Sequence, residues 1–118
     1  MKQTDLIPRT KEFAIRVMAL CELLPPGNVG WNLGKQLMRS GTSIGANYRE
    51  AQRSRTRQEF GSKIGICQQE ADETQYWLEL IIGFDNFPES LRRMADKLLA
   101  EANELSRILT VIGQKASV

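Results

Sequence analysis

The chain reads as an all-α protein, an antiparallel up-down-up-down four-helix bundle, on three observations. Apolar residues recur at alternating steps of three and four in four separate segments, the spacing of one helix face. Proline, glycine and capping residues separate the segments, and no stretch of useful length shows the period-two alternation of a strand. The connections are short, so successive helices must run back on one another.

The first helix is placed at about residues 9–24. Pro8 suits a first turn, Phe13, Val17, Leu20 and Leu24 follow at helical steps, and Pro25-Pro26-Gly27-Asn28 stops the run. The second, about 31–54, carries Leu33, Leu37, Ser40, Ile44, Asn47 and Ala51 as a seam with polar members. The third, about 57–83, opens on the capping box Thr56-Arg57-Gln58-Glu59, in which threonine and glutamate serve each other's backbone amides. Its seam is Phe60, Ile64, Cys67, Ala71, Thr74, Leu78 and Ile81, and Phe84-Asp85-Asn86-Phe87-Pro88 breaks it. The fourth, about 89–113, lines up Leu91, Ala95, Leu98, Ala102, Leu105, Leu109 and Ile112.

With 118 residues, 42% apolar and 25% charged, this is a single globular domain, residues 1–118. No apolar run is long enough to cross a membrane and no signal peptide opens the chain, so a cytoplasmic protein without a membrane partner is expected. Cys21 and Cys67 occupy apolar helix positions and read as core packing.

Enzymatic readings fail for lack of parts. The chain has no histidine, which removes Ser-His-Asp and Cys-His arrangements and imidazole metal sites. Glu70 and Glu73 lack the Glu-x-x-His partner of a di-iron bundle, and no Gly-Lys-Ser/Thr follows Gly41 to Gly45 to make a phosphate loop. No catalytic residue, metal or cofactor is expected.

Charge is concentrated at the turn between the second and third helices. Arg49, Arg53, Arg55, Arg57 and Lys63 face only Glu50 and Glu59 between residues 49 and 63, in a chain whose net charge is +2. Arginine's planar fork suits phosphate oxygens, so these five are the candidate nucleic-acid contacts. From residue 64 to 91 there is no basic residue, while six acidic ones accumulate; this acidic face is expected to meet Arg92, Arg93 or Lys97 of a neighbouring subunit, or another protein.

Two further groups are expected to be structural. Antiparallel pairing about residues 53 to 54 sets Gly45 near Gly61 and Gly41 near Gly65, predicting a close contact between the second and third helices. The same register puts Arg39 within reach of Glu70 or Glu73 as a partly buried pair. Ser40 and Asn47 are expected to satisfy helix backbone groups, and Thr74 completes the polar seam. Tyr76 and Trp77 lie about 30 Å along the helix from the basic turn; with Trp31 they read as packing or subunit-interface residues.

The residues Gln36-Leu37-Met38-Arg39-Ser40, Thr42-Ser43-Ile44-Gly45-Ala46-Asn47, Glu50-Ala51, Phe60, Lys63 and Glu73-Thr74-Gln75-Tyr76-Trp77-Leu78 resemble the four-helix-bundle family encoded by intervening sequences of bacterial 23S ribosomal RNA. That family includes the accessory proteins of diversity-generating retroelements. The resemblance implies a ring-like homopentamer and, for the retroelement branch, binding of nucleic acid and of a reverse transcriptase.

The expectation is therefore a non-enzymatic homo-oligomer that binds structured RNA or DNA at its basic rim. The rival is a protein-interaction or assembly module with no nucleic-acid partner. A third reading, small-molecule binding along Arg39, Ser40 and Asn47, requires a cavity there.

Overall fold

The computed structural model describes residues 5–116, which form α1 (Leu6–Glu22), α2 (Asn28–Ala51), α3 (Arg57–Gly83) and α4 (Glu89–Ala116). The starts of α3 and α4 fall where the sequence signals put them; the ends of α1 and α2 move for local reasons. α1 starts at Leu6 because Leu6 is itself buried, and the Thr10 hydroxyl donates to its carbonyl at 2.6 Å. Pro8 then sits in the first turn, where a missing amide costs nothing. α2 begins directly after Gly27, whose φ of 132° turns the chain sharply enough to start a helix three residues early.

At its other end α2 stops at Ala51 but keeps turning. The Arg53 amide bonds to the Glu50 carbonyl at 3.0 Å and the Ser54 amide to the Ala51 carbonyl at 3.1 Å, a tightened turn that prolongs the helical spacing. Between α3 and α4, Phe84 and Phe87 meet edge to face with centroids 4.9 Å apart, and Phe87 is buried beneath the loop.

Cross-helix pairs give the topology. From α2 to α3, Arg39 meets Glu73, Ser40 meets Thr74 and Glu50 meets Lys63; from α3 to α4, Gln68 meets Thr110 and Asp72 meets Ser106. From Ser40–Thr74 to Glu50–Lys63, and from Gln68–Thr110 to Asp72–Ser106, one number rises as the other falls, so these helices are antiparallel. α3 packs against α2 and α4, and α1 packs chiefly on α2 and less extensively on α4. The result is an elongated bundle of 47 × 25 × 20 Å.

α1 is tied to α4 by a pair the sequence pattern did not reveal. The Arg9 guanidinium donates to both Glu101 oxygens, at 2.7 and 2.8 Å, with both side chains largely covered. Such a two-pronged, partly desolvated pair fixes geometry better than an exposed one. The core contains Phe13, Val17 and Leu20 of α1, Leu37 and Ile44 of α2, Ile64, Leu78 and Ile81 of α3, and Leu98, Leu105 and Leu109 of α4.

The glycine expectation is corrected here. A Cβ added at Gly41 would lie 2.9 Å from both Val17 methyls, and one at Gly45 would lie 2.9 Å from the Thr10 hydroxyl. The close approach is therefore between α2 and α1. Gly61 would meet only Ala116, at 3.8 Å, and Gly65 nothing within 4 Å. Gly41 and Gly45 lie on the α1 side of the seam that Ser40 and Ile44 present to α3, so pairing the glycines about the turn chose the wrong neighbour.

Candidate nucleic-acid interface

The turn that carries the arginines is held by hydrogen bonds at both ends. Besides the tightened end of α2, Thr56 caps α3, its hydroxyl accepting the Glu59 amide at 3.0 Å. Ser54 lies between these two devices. Its hydroxyl is buried with no protein partner among the described residues, which nothing in its own sequence context announced.

Arg49, Arg53, Arg55 and Arg57 are all exposed around this turn. Lys63 differs from them, being partly covered with its ammonium on Glu50 at 3.2 Å. It neutralises the one acidic residue of α2.

The antiparallel bundle brings further charge to the same end. Lys11 of α1 lines a groove with Arg49, and Lys115 ends α4 next to the start of α3, where Ala116 abuts Gly61. Both were missed because they are distant in sequence from the turn. Folding the four helix lengths back on one another would have found them.

The polar seam is a connected network. Arg39 reaches Glu70 at 3.2 Å and also bonds to Glu73, which in turn accepts the Trp77 indole N–H at 3.3 Å. The Arg39 side chain is 47% exposed, so the pair borders the solvent and is less covered than expected. Beneath it, the buried Ser40 and Thr74 hydroxyls bond to each other at 2.9 Å, and Thr74 also reaches the Glu70 carbonyl at 2.7 Å. Asn47 donates to the Ser43 carbonyl at 2.8 Å, as a backbone-satisfying residue should, whereas Ser40 finds its partner across the helix interface.

The grooves walled by residues from Asn28 to Leu33 with Glu79 to Phe84, from Cys21 to Met38, and from Thr10 to Arg49 do not include Arg39, Ser40 or Asn47 in their linings. The acidic face is also partly answered within the chain: Arg92 donates to the Ile82 carbonyl at 2.9 Å and pairs with Asp85, and Arg93 pairs with Glu89. Among the described residues there is no cluster of three or more potential metal-ligating side chains. Burial pushes the Cys21 thiol up to about 11 and the Cys67 thiol up to about 12, so neither is a ready nucleophile.

The family model described as 23S rRNA-intervening sequence protein matches residues 2–111. This chain belongs to that family. Among solved structures, the 23S rRNA-intervening sequence fold recurs in a crystal structure of a protein of unknown function from the S23 ribosomal protein family of Bacteroides thetaiotaomicron. It is 34% identical, with a TM-score of 0.77 over 90% of this chain and 95% of that one. No curated protein matches. Membership of the 23S rRNA-intervening sequence family accounts for the all-α fold, in which no helix among the described residues is long and apolar enough to cross a membrane.

Proposed function

We propose that this protein is a non-enzymatic, cytoplasmic, homo-oligomeric bundle that binds structured RNA or DNA through the rim at the α2–α3 turn. The observation that carries the reading is the exposure of Arg49, Arg53, Arg55 and Arg57 on a turn whose backbone is held at both ends, with Glu50 already occupied by Lys63. Guanidinium groups so placed meet phosphates at little cost in ordering the chain. With no groove-reading motif present, the contact is to backbone and shape. Repetition of the rim around an oligomer, a pentamer by family resemblance, multiplies a weak contact into an avid one.

The test is a salt titration of binding to duplex DNA and to folded RNA, with light scattering on the same samples to count subunits. On duplex DNA the logarithm of affinity should fall with that of salt by about 0.9 per neutralised phosphate. Reversal of Arg53, Arg55 and Arg57 to glutamate should abolish it. Absence of binding at low salt refutes the reading.

The rival, an assembly module whose partner is a polypeptide, is favoured by a different observation. Val29, Leu33, Leu80 and Phe84 line an apolar groove of about 570 Å³ between the start of α2 and the end of α3, and the exposed Tyr76 lies on the adjoining turn of α3. Unchanged partner binding after the triple arginine reversal would mark this as the working surface.

A further inference from the structure

Two shallow grooves follow one another along the outer side of α1 and α2. The first, about 270 Å³, is walled by Lys11 and Ala14 of α1 and Thr42, Ala46 and Arg49 of α2. The second, about 680 Å³, contains Trp31, Lys35 and Met38 and ends on the Pro25-Pro26-Gly27 turn. Neither has an aspartate or glutamate in its lining, in a chain with 14 acidic residues. Close packing of α1 on Gly41 and Gly45 keeps the seam between the helices shallow.

On α2 the wall is a single stripe. Trp31, Lys35, Met38, Thr42, Ala46 and Arg49 recur at steps of four and three, and the next step is Arg53 of the rim. From Arg49 to Trp31 the stripe covers about 27 Å along the helix axis. At its far end Trp31 is 67% exposed, with the Lys35 ammonium 5.0 Å from its ring centroid. An indole this exposed beside a cation has little packing role within the protomer. The first turn of α2, beside it, has no side-chain cap, so its amides add partial positive charge.

We propose that this trough carries a single nucleic-acid strand, running from the Arg49–Arg53 end and stacking a base on Trp31. The inference rests on the rim being a phosphate-binding surface and names the form of nucleic acid that continues beyond it. Lys11 and Arg49 meet phosphates at one end of the trough and Lys35 meets one at the other, about 21 Å along α2, and the open face of Trp31 takes an unpaired base, which a duplex does not offer. Stacking on an aromatic ring tolerates any base, so the trough discriminates strandedness and not sequence.

The experiment uses the Trp77→Phe chain, in which Trp31 is the sole indole. It is titrated with an oligothymidylate of about twelve nucleotides, an abasic analogue of equal length, duplex DNA, and polyglutamate. The oligothymidylate should quench the Trp31 emission and bind at least about fivefold more tightly than the abasic analogue. Trp31→Ala should erase that preference while leaving rim-dependent duplex binding intact, and Lys35→Glu should weaken both single strands. Circular dichroism checks that the variants remain helical, as expected for exposed positions.

Equal binding of thymidylate and abasic strands without quenching, with duplex binding preserved, overturns the trough and leaves the rim. Loss of all nucleic-acid binding overturns both. Polyglutamate that quenches Trp31 and displaces the oligonucleotide at equal charge concentration overturns the strand in favour of an acidic polypeptide.

Discussion

α2 holds its two neighbours by opposite means. Toward α1 it presents glycine, so that Val17 and Thr10 sit where side chains would otherwise be, and the register is set by shape. Toward α3 it presents Ser40 and Arg39, and the register is set by which polar groups find partners. A shape-determined contact tolerates no added atom, whereas a polar contact tolerates added atoms better than an unmatched hydroxyl. One helix can therefore specify two different partners without two different apolar stripes.

The sharpest way to break this contrast is to fill the glycines. Gly41→Leu should cost about 3 kcal/mol, the upper end of the overpacking range, because Val17 is branched and buried and already lies within 2.9 Å of an added Cβ. Calorimetric melting should show a large drop or no cooperative transition. Gly65→Ala should move the other way, stabilising by up to about 1 kcal/mol, since it removes a flexible helix position without meeting any neighbour. A loss at Gly65 comparable with that at Gly41 would contradict the assignment of the close approach to α1.

On the polar side, Thr74→Val should cost about 1 to 3 kcal/mol by leaving the buried Ser40 hydroxyl alone. Ser40→Ala should cost less, because Thr74 keeps the Glu70 carbonyl. The double variant should recover part of the Thr74→Val loss in a chemical-denaturation cycle, and strict additivity would show that the two hydroxyls do not act as a pair.

The smallest effect is on pH. Cys21 lies at the α1–α2 contact, its thiol donating to the Gly34 carbonyl at 3.6 Å, and Cys67 lies in the core face of α3. Both are raised from the ordinary thiol value of 9.0, to about 11 and about 12, mainly by burial. The folded state thus holds its protons where the unfolded state releases them. This contribution to stability is complete below pH about 9 and declines as pH rises toward about 11 to 12. Cys67→Ala should flatten that decline in melting temperature; an unchanged profile would show that thiol burial does not contribute.

Much of the fold was legible because helix-forming patterns are local. The Phe60-to-Ile81 seam, the Thr56 cap and the Pro25-Pro26 stop need only near neighbours in sequence, and the α3 seam is buried except at Phe60, which is partly covered. The Arg39 contact with Glu70 and Glu73 was legible too, since one short turn fixes the α2–α3 register. The rim was legible as a run of arginines, though Lys63 proved to be the partner of Glu50. Ser54, Arg9 with Glu101, and the exposure of Trp31 carried no local signal.

The sequence by itself determined how many helices form, which face of each is apolar, and where arginine is concentrated, because a 3.6-residue period and a capping box are written along the chain. Tertiary structure alone decided which of two neighbours each flank of α2 meets, so that Gly41 and Gly45 close on α1 while Ser40 pairs with α3. It also set Lys11 beside Arg49 and left Trp31 exposed on the protomer. The physical reason is that a one-dimensional period gives the direction of a face but not the element opposite it. In a four-helix bundle every helix has two neighbours, and only packing in three dimensions assigns them.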